Sequence, residues 1–226
     1  MAEADGEGAF SRSAALLGEE AVRRLADAHV LVVGVGGVGS WCAEALVRTG
    51  VGHVAVMDDD VVAASNLNRQ CPATAASVGR RKVDAMRERL LAVNPSCDVA
   101  ALAARFTGAE DIGGFDAVVD AIDSVACKAA LIAKAAELGI YVVSSMGAAL
   151  RSDPTRVRVS RFDRVSGDGL ARALRRRFRA EGRGIPRFEC VWSDEPPQKT
   201  AERGSLMQVT ATFGMCLAAR VIARFA

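Results

Sequence analysis

A short apolar run that ends in a glycine-rich turn places the strongest constraint on how this chain folds. Residues 30–33 are aliphatic and mostly β-branched, which is typical of a strand buried on both faces. Gly34, Gly36 and Gly39 follow, and this spacing allows a tight turn, close approach of the backbone to a phosphate, and close packing of helix on strand. The helix predicted over residues 41–49 would direct its N-terminal amides at an anion. The pattern predicts a nucleotide-binding turn.

An acidic residue ends the next predicted strand. Residues 53–57 form a second apolar run, and Asp58 closes it at about the 20-residue distance that suits a carboxylate bound to ribose hydroxyls. Asp59 and Asp60 add negative charge that suits either a metal ion or solvent. This arrangement fits NAD as well as ATP, so an NAD-dependent oxidoreductase is one alternative.

Two cationic side chains and a further carboxylate follow this acidic cluster. Arg69 lies in Ser-Asn-Leu-Asn-Arg-Gln, Lys82 ends Gly-Arg-Arg-Lys, and Asp123 lies in Asp-Ala-Ile-Asp-Ser after a later apolar strand. A carboxylate that attacks an α-phosphate meets like-charge repulsion, which positioned cations and Mg²⁺ offset. Hydride transfer needs no such set. The combination therefore favours a site for a nucleoside triphosphate.

The order Asp-x-Asp-x-Val-x-x-Ser-Asn-Leu-x-Arg-Gln from Asp58, followed by Gly-x-x-Lys, is similar to that of the ATP-dependent ubiquitin-activating-like superfamily. Enzymes of this superfamily adenylate a carboxylate, so the resemblance implies ATP and Mg²⁺ as cofactors. It implies that Asp58 binds ribose and that Asp123 holds the magnesium ion. The phosphates would contact Asn66, Arg69 and Lys82. The full nucleotide-binding set that it implies is Gly34, Gly36, Gly37, Gly39, Asp58, Asp60, Asn66, Asn68, Arg69, Lys82 and Asp123.

Within that superfamily the chain most resembles the bacterial tRNA threonylcarbamoyladenosine dehydratases. The most diagnostic match is Asp-Ala-Ile-Asp-Ser at 120–124 together with Lys128, and Val-Thr-Ala-Thr-Phe-Gly at 209–214 also matches. The resemblance implies a tRNA partner and ATP-driven cyclisation of the modified base with loss of water. Two stretches depart from the family pattern: residues 146–151 are less glycine-rich, and the segment 196–204 is short.

The stretch Phe-Ser-Arg-Ser around Arg12 resembles an N-terminal motif of the sulfur-carrier activators. In those enzymes the arginine reaches the ATP of the partner subunit, so the resemblance implies a homodimer and adds Arg12 to the catalytic residues Arg69, Lys82 and Asp123. It also keeps open a different substrate, the C-terminal glycine carboxylate of a small ubiquitin-like sulfur-carrier protein. A non-catalytic nucleotide-binding scaffold is a second alternative.

An arginine-rich stretch in the C-terminal part is the main charge feature of a chain whose net charge is only +2. Its members lie in a predicted helix and the loop after it: Arg172, Arg175, Arg176, Arg177, Arg179, Arg183 and Arg187. Such a strip suits the phosphate backbone of RNA. From the residues alone, a solvated helix face is the more frequent explanation of arginine runs, whereas the family resemblance favours contact with RNA.

The alternation of strands and helices predicts a Rossmann-like α/β fold with a mostly parallel, twisted sheet and antiparallel strands added at one edge. We expect one adenylating domain over residues 1–226, with disorder in 1–8, a nucleotide-binding core at 29–145 and a substrate region at 146–226. The acidic start and the lack of a long apolar run predict a cytoplasmic protein without a membrane span.

None of the six cysteines forms a Cys-x-x-Cys pair, so the sequence predicts no zinc site of the kind that some superfamily members carry. Cys190 lies in a strand-like run and is predicted to belong to the core. Cys71, beside Arg69, is the better candidate for a reactive thiol, although we expect it to be unreactive.

Overall fold

The computed structural model describes residues 8–202 and 204–226, so the disorder predicted for residues 1–8 falls almost wholly outside the described part. The strands are β1 (His29–Val33), β2 (His53–Met57), β3 (Asp98–Leu102), β4 (Ala117–Asp120), β5 (Tyr141–Ser145), β6 (Val157–Arg161) and β7 (Glu189–Ser193). The helices are α1 (Ser11–Leu17), α2 (Glu19–Asp27), α3 (Gly39–Thr49), α4 (Lys82–Val93), α5 (Val125–Glu137), α6 (Gly169–Ala180) and α7 (Met207–Phe225).

All seven strands form one sheet in the order β3-β2-β1-β4-β5-β7-β6. The first six in that order are parallel, and β6 alone runs antiparallel, against β7. The predicted fold class is confirmed. Only β6 is reversed, however, because β7 pairs with β5 in parallel. The order in which strands are added to the sheet reverses between β1 and β4, and an open α/β sheet binds ligands at such a point.

Helices cover both faces of the sheet and create two hydrophobic cores. Alternate residues of β1 supply the two cores: Val30 and Val32 belong to one, and Leu31 and Val33 to the other. The first core includes side chains of α3, α4 and α7, whereas the second includes side chains of α5 and α6. The buried apolar runs of the parallel strands are therefore explained by burial on both faces.

The longest helix was not predicted from the sequence. α7 packs closely along α3, and a Cβ atom at Gly214 would lie 2.5 Å from the carbonyl oxygen of Val38. The helix therefore needs glycine at this position to lie so close behind the turn. α4 begins at Lys82 rather than at the predicted residue 79, where Gly79 has a positive φ of 88°. Among the described helices, none is long and apolar enough to cross a membrane.

Candidate active site

The main cleft of the molecule, about 570 Å³ in volume, opens at the carboxyl edge of the sheet. Residues at or just after the ends of β1, β2, β4 and β5 line it, together with the loop that carries Arg69 and the first turns of α4 and α7. It therefore lies at the reversal point of the sheet, on both sides of β1.

The glycine turn has its shape because two of its glycines admit no side chain. Gly34 has a φ of +93°, and a Cβ atom there would lie 2.6 Å from the carbonyl oxygen of Ala121. A Cβ atom at Gly39 would lie 1.9 Å from the carbonyl oxygen of Gly34. Gly39 thus allows the start of helix α3 to pack closely on Gly34, and it does not line the cleft. Gly34, Gly36 and Gly37 do line it.

Gly36, Gly37 and Val38 line the cleft, and their amides and that of Gly39 are potential donors. Within the described chain they have no backbone or side-chain acceptor, while the neighbouring amides of Gly34 and Val35 donate to Met57 and Asp58. Free amides at the start of a helix form a site for an anion, because the helix dipole adds to their partial positive charge. The cradle is suited to phosphate.

Asp58 connects the glycine turn to the acidic strand end. Its Oδ2 atom accepts the Val35 amide at 2.7 Å, and its Oδ1 atom accepts the Asp60 amide at 2.9 Å. Each oxygen keeps a lone pair, and the side chain is only 10% exposed. Asp58 is therefore a fixed acceptor at the end of β2, where the sequence predicts ribose binding.

Lys82 lies over the same carboxylates at the start of α4. Its ammonium group binds Asp60 at 2.7 Å and lies 3.8 Å from Asp58. The lysine side chain is 8% exposed, so the surrounding protein holds the cation in one place. Asp60 thus orients Lys82 toward the cleft in addition to any contact of its own with a ligand.

Arg69 is the other predicted cation, and it carries no ion pair in the part of the chain that the structure describes. One of its Nη atoms donates to the Ser65 carbonyl at 2.7 Å and to Asn68 at 2.9 Å. A Cβ atom at Gly37 would lie 3.2 Å from the Arg69 side chain, so the arginine runs alongside the glycine turn. Its remaining donors are free to bind phosphate oxygens in a planar fork.

The two asparagines of this loop have different positions. Asn66 lines the cleft and accepts the Ala63 amide at 3.0 Å, which fixes the short 3₁₀ turn before Arg69. Asn68 does not line the cleft; it donates to the Ser205 carbonyl at 2.9 Å and accepts from Arg69. Asn68 therefore holds the Arg69 side chain in place through this hydrogen bond. The sequence instead predicts that Asn68 contacts the nucleotide directly.

Asp123 follows β4 and lies exposed in the cleft. Its carboxylate has neither a hydrogen bond nor an ion pair with any other described residue. Asp58, Asp59 and Asp60 can bring three carboxylate atoms within 4.8 Å of one another, but Lys82 binds Asp60 and Arg105 binds Asp59 at 3.0 Å. An unpaired hard oxygen ligand suits Mg²⁺, so the predicted metal ligand Asp123 fits that ion better than the aspartate cluster.

Several cleft residues lie outside the predicted site set, among them Gln70, Thr210 and Arg105. Gln70 is 6% exposed, and its Oε1 atom has no hydrogen-bond partner among the described residues. A buried acceptor without a partner is costly, so a ligand donor such as a hydroxyl or amine would satisfy it. Thr210 comes from α7, and Arg105 comes from the loop after β3. Gln70 and Thr210 both lie in stretches that match the family pattern, whereas Arg105 carries no local signal.

A fully buried ion pair lies directly beneath the cleft. The ammonium group of Lys128 on α5 binds the Asp120 carboxylate at 2.7 Å, the Ser144 hydroxyl at 3.2 Å and the Ser145 carbonyl at 2.9 Å. Asp120 also accepts the Ile122 amide at 3.1 Å. This network fixes the end of β4, the loop that carries Asp123, and the end of β5.

Arg12 lies away from the cleft of its own chain. It is an exposed residue of α1, and the neighbouring Phe10 packs 3.5 Å from the position of a Cβ atom on Gly50. Gly50 ends α3, whereas the glycine turn precedes that helix. Arg12 is therefore not among the residues that line the cleft of its own chain.

The two stretches that depart from the family pattern lie against each other beside the cleft. The Leu150 amide donates to the Gly204 carbonyl at 2.9 Å, and the Gln198 amide donates to the Leu150 carbonyl at 2.9 Å. Leu150 is the only non-glycine residue with a positive φ in the described chain, at 61°. Gly147 and Ser205, on either side of this contact, both line the cleft.

Two of the cysteines, Cys71 and Cys190, are poor nucleophiles in this environment. Burial, followed by the negative charge of Glu44, raises the pKa of the Cys71 thiol to about 12. Burial also raises the pKa of Cys190 to about 12, and this residue packs in a core as predicted. Cys71 faces a second, shallower cavity rather than the main cleft. A thiol with such a pKa is almost wholly protonated at neutral pH.

We compared the chain with known protein families, curated proteins and solved structures. The model of the ThiF family matches residues 10–225. The chain belongs to the ThiF family. Among curated proteins it is 38% identical to the tRNA threonylcarbamoyladenosine dehydratase of Escherichia coli, over 90% of this chain and 80% of that protein. It is 39% identical to the protein of that name from Bacillus subtilis, over 83% and 75% of the two chains.

Solved structures agree with this result. The crystal structure of the E. coli dehydratase in complex with AMP superposes with a TM-score of 0.91 at 38% identity, covering 96% of this chain and 93% of that one. The complex of the same enzyme with ATP gives a TM-score of 0.88 over the same shares. The predicted resemblance to this ThiF family group is confirmed.

Proposed function

We propose that this protein is an ATP-dependent enzyme that adenylates the carboxylate of threonylcarbamoyladenosine in tRNA and then closes a ring with loss of water. The observation that carries the proposal is the cleft itself, where free amides of a glycine turn adjoin Arg69, Lys82 and an unpaired Asp123. Identity of 38% to the E. coli dehydratase, whose complexes hold ATP and AMP, supports it independently.

The first step joins the substrate carboxylate to the α-phosphate and releases pyrophosphate. Negative charge grows on the phosphate oxygens as the carboxylate approaches, so a preorganised cation stabilises the transition state more than the ground state. Arg69 lies beside the amide cradle and presents free guanidinium donors there. Lys82 supplies a second positive charge from the acidic side of the cleft, where Asp60 orients it.

Asp58 and Gln70 offer the nucleoside two buried acceptors, the first at the end of β2 and the second with no partner among the described residues. Asp123 would hold Mg²⁺, which when bound supplies positive charge that neutralises the departing pyrophosphate. The residues present fit that ion because Asp123 is a free carboxylate facing the cleft.

The second step closes the ring when a nucleophile within the substrate displaces AMP. A mixed anhydride is a good electrophile because AMP leaves far more readily than hydroxide. The attacking atom belongs to the same modified base, so proximity can drive this step. The protonated state of Cys71 and Cys190 agrees with a reaction in which neither of these two thiols takes part.

The proposed enzyme is a cytoplasmic homodimer in which Arg12 of each subunit reaches the nucleotide of the other. Its position far from its own cleft supports this arrangement, because an arginine that contacts phosphate has to come close to the cradle. The alternative source of the carboxylate is the C-terminal glycine of a small ubiquitin-like sulfur-carrier protein, and a sulfur-transfer protein would then be a further partner.

The decisive experiment measures AMP and pyrophosphate formed from ATP and Mg²⁺, with and without tRNA that carries threonylcarbamoyladenosine. The proposal expects AMP formation that depends on this tRNA, and loss of one water from the modified base by mass spectrometry. Unmodified tRNA of the same sequence is the control. AMP formation that ignores the modified base would redirect the search to carrier-protein tails. ADP as the product would refute adenylation.

A further inference from the structure

The segment 161–188 is far more basic than the rest of the chain. It carries nine arginines and three acidic residues, whereas the whole protein has a net charge of only +2. The rest of the protein is therefore net acidic, and positive charge is concentrated on α6 and the loops on either side of it. Such segregation is the electrostatic feature expected of a surface that binds a polyanion.

Several of these arginines already have partners within the protein. Arg175 donates to the carbonyls of Phe162 and Val165 at 2.9 and 2.8 Å, and its guanidinium lies 4.8 Å from the Phe162 ring centre. Arg177 forms an ion pair with Glu181, and Arg183 lies 3.6 Å from Glu137. These contacts explain why this part of the surface needs arginine without invoking any ligand.

Three arginines of the same helix have no such explanation. Arg172, Arg176 and Arg179 are exposed, and none of them forms an ion pair or a side-chain hydrogen bond with the residues at 8–202 or 204–226. Their spacing of four and three residues places them one above another on one helix face. We call these three residues the α6 stripe. Mutual repulsion makes such a stripe unfavourable unless a ligand or solvent compensates it.

The stripe lies opposite the face that holds α6 on the protein. Ala171, Leu174 and Phe178 are fully buried in the second core. These residues occupy the other side of the helix, so the guanidinium groups of the stripe point outward. The helix is therefore a rigid support, and no rearrangement is needed to present the three cations to a partner.

α6 is attached directly to the wall of the cleft. Asp168 caps the helix by accepting the Ala171 amide at 2.8 Å, and it also accepts the amide of Gly147 at 3.1 Å. Gly147 and Leu170 both line the cleft. The stripe therefore begins within one helical turn of the wall, and the two surfaces are fixed relative to each other by a buried carboxylate.

We propose that the α6 stripe binds the phosphate backbone of the RNA whose modified base enters the cleft. This inference rests on the proposed function, because it assigns a docking surface to that substrate. RNA is favoured over an acidic protein because the stripe is regularly spaced along one line, as successive phosphates are, and carries few apolar neighbours. Contacts between the stripe and phosphates are independent of the RNA sequence, and their role is to position the modified base at the cleft.

The test is to replace all three stripe arginines by glutamine (R172Q/R176Q/R179Q) and to measure tRNA affinity between 50 and 200 mM salt. Each phosphate contact contributes about 0.9 to the slope of log affinity against log salt. Loss of three contacts therefore lowers the magnitude of that slope by about 2 to 3. Between 50 and 200 mM salt, the affinity of the wild type should fall about 40-fold more than the affinity of the variant. KM for tRNA rises, while kcat at saturating tRNA is retained.

The matched control removes the same charge from exposed arginines outside α6 (R23Q/R80Q/R224Q), and it is expected to keep the wild-type slope. Equal slopes in the stripe variant and the wild type would overturn the proposal. So would loss of binding to a polyglutamate probe with unchanged tRNA binding, which would indicate an acidic protein partner instead. Failure of the proposed function is distinguishable, because the wild type itself would then form no tRNA-dependent AMP.

Discussion

The buried pair of Lys128 and Asp120 makes a strong prediction about stability. Neither side chain has exposed surface, and the Lys128 ammonium group also donates hydrogen bonds to the Ser144 hydroxyl and the Ser145 carbonyl. K128M retains most of the volume but leaves the Asp120 carboxylate buried without its cation. Breaking one partner of such a pair costs about 3–5 kcal/mol. A domain of ordinary stability, about 5–15 kcal/mol, would lose a large part of it.

The assay is equilibrium unfolding in urea at pH 7, followed by circular dichroism, with K199M as a control for an exposed lysine. A loss of about 3–5 kcal/mol corresponds to a melting temperature lower by about 10 °C for a chain of this size. K199M is expected to change stability by less than about 0.5 kcal/mol. We expect K128M to lower the rate of AMP formation as well, since the pair holds the loop of Asp123.

A double variant separates the charge effect from lost packing. D120N removes the charge that K128M leaves behind, while its amide oxygen can still accept from Ile122. K128M/D120N should therefore be more stable than K128M alone by about 1–3 kcal/mol, although two buried groups have been changed. A cost of less than about 1 kcal/mol for K128M, or simple additivity in the double variant, would refute the reasoning.

Three further predictions concern the cleft, the dimer and the thiols. R69A should lower kcat for AMP formation about 10²- to 10³-fold with an unchanged melting temperature, because it removes transition-state charge stabilisation; a change of less than threefold would contradict this role. Mixing inactive R12A and D123A should restore about a quarter of wild-type activity through hybrid dimers, and no recovery after subunit exchange would exclude action in trans. The Cys71 pKa rises on folding from 9.0 to about 12, so its contribution to stability is present below pH 9 and is lost as pH rises to 12. At pH 10 the loss is about 1 kcal/mol, and urea titrations of C71A should lack this part of the alkaline decline seen in the wild type.

The parallel part of the fold was predictable because its strands are buried on both faces. Residues 30–33 and 53–57 are continuous apolar runs, and the observed strands differ from these limits by one residue at most. The direction of β7 was not predictable, since it depends on which end of the sheet the chain reaches after α6 before it pairs with β5. The sequence of residues 189–193 carries no local pattern that indicates this direction.

The site was predictable where its residues share one segment of sequence. Asp58, Arg69 and Lys82 follow one another around the β2 edge, so their spacing carries the information. Thr210 reaches the cleft only because Gly214 allows α7 to pack against α3. Asn68 and Arg69 are neighbours in sequence, yet only the structure shows that one orients the other.

The charges that line the cleft argue for nucleotide and metal binding together. Four aspartates and three basic side chains face it, so the lining of the cleft is net negative. A nucleoside triphosphate is itself polyanionic and would be repelled by this lining if it entered without a cation. Lys82 and Arg105 are each paired with an aspartate, so Arg69 and the glycine-turn amides are the phosphate donors here that have no acidic partner among the described residues. A divalent cation bound to Asp123 converts the one unpaired carboxylate from a repulsive group into a ligand. D123N should therefore weaken binding of ATP in the presence of Mg²⁺ while improving binding of metal-free ATP. Calorimetry under the two conditions would refute the argument if D123N weakened both equally.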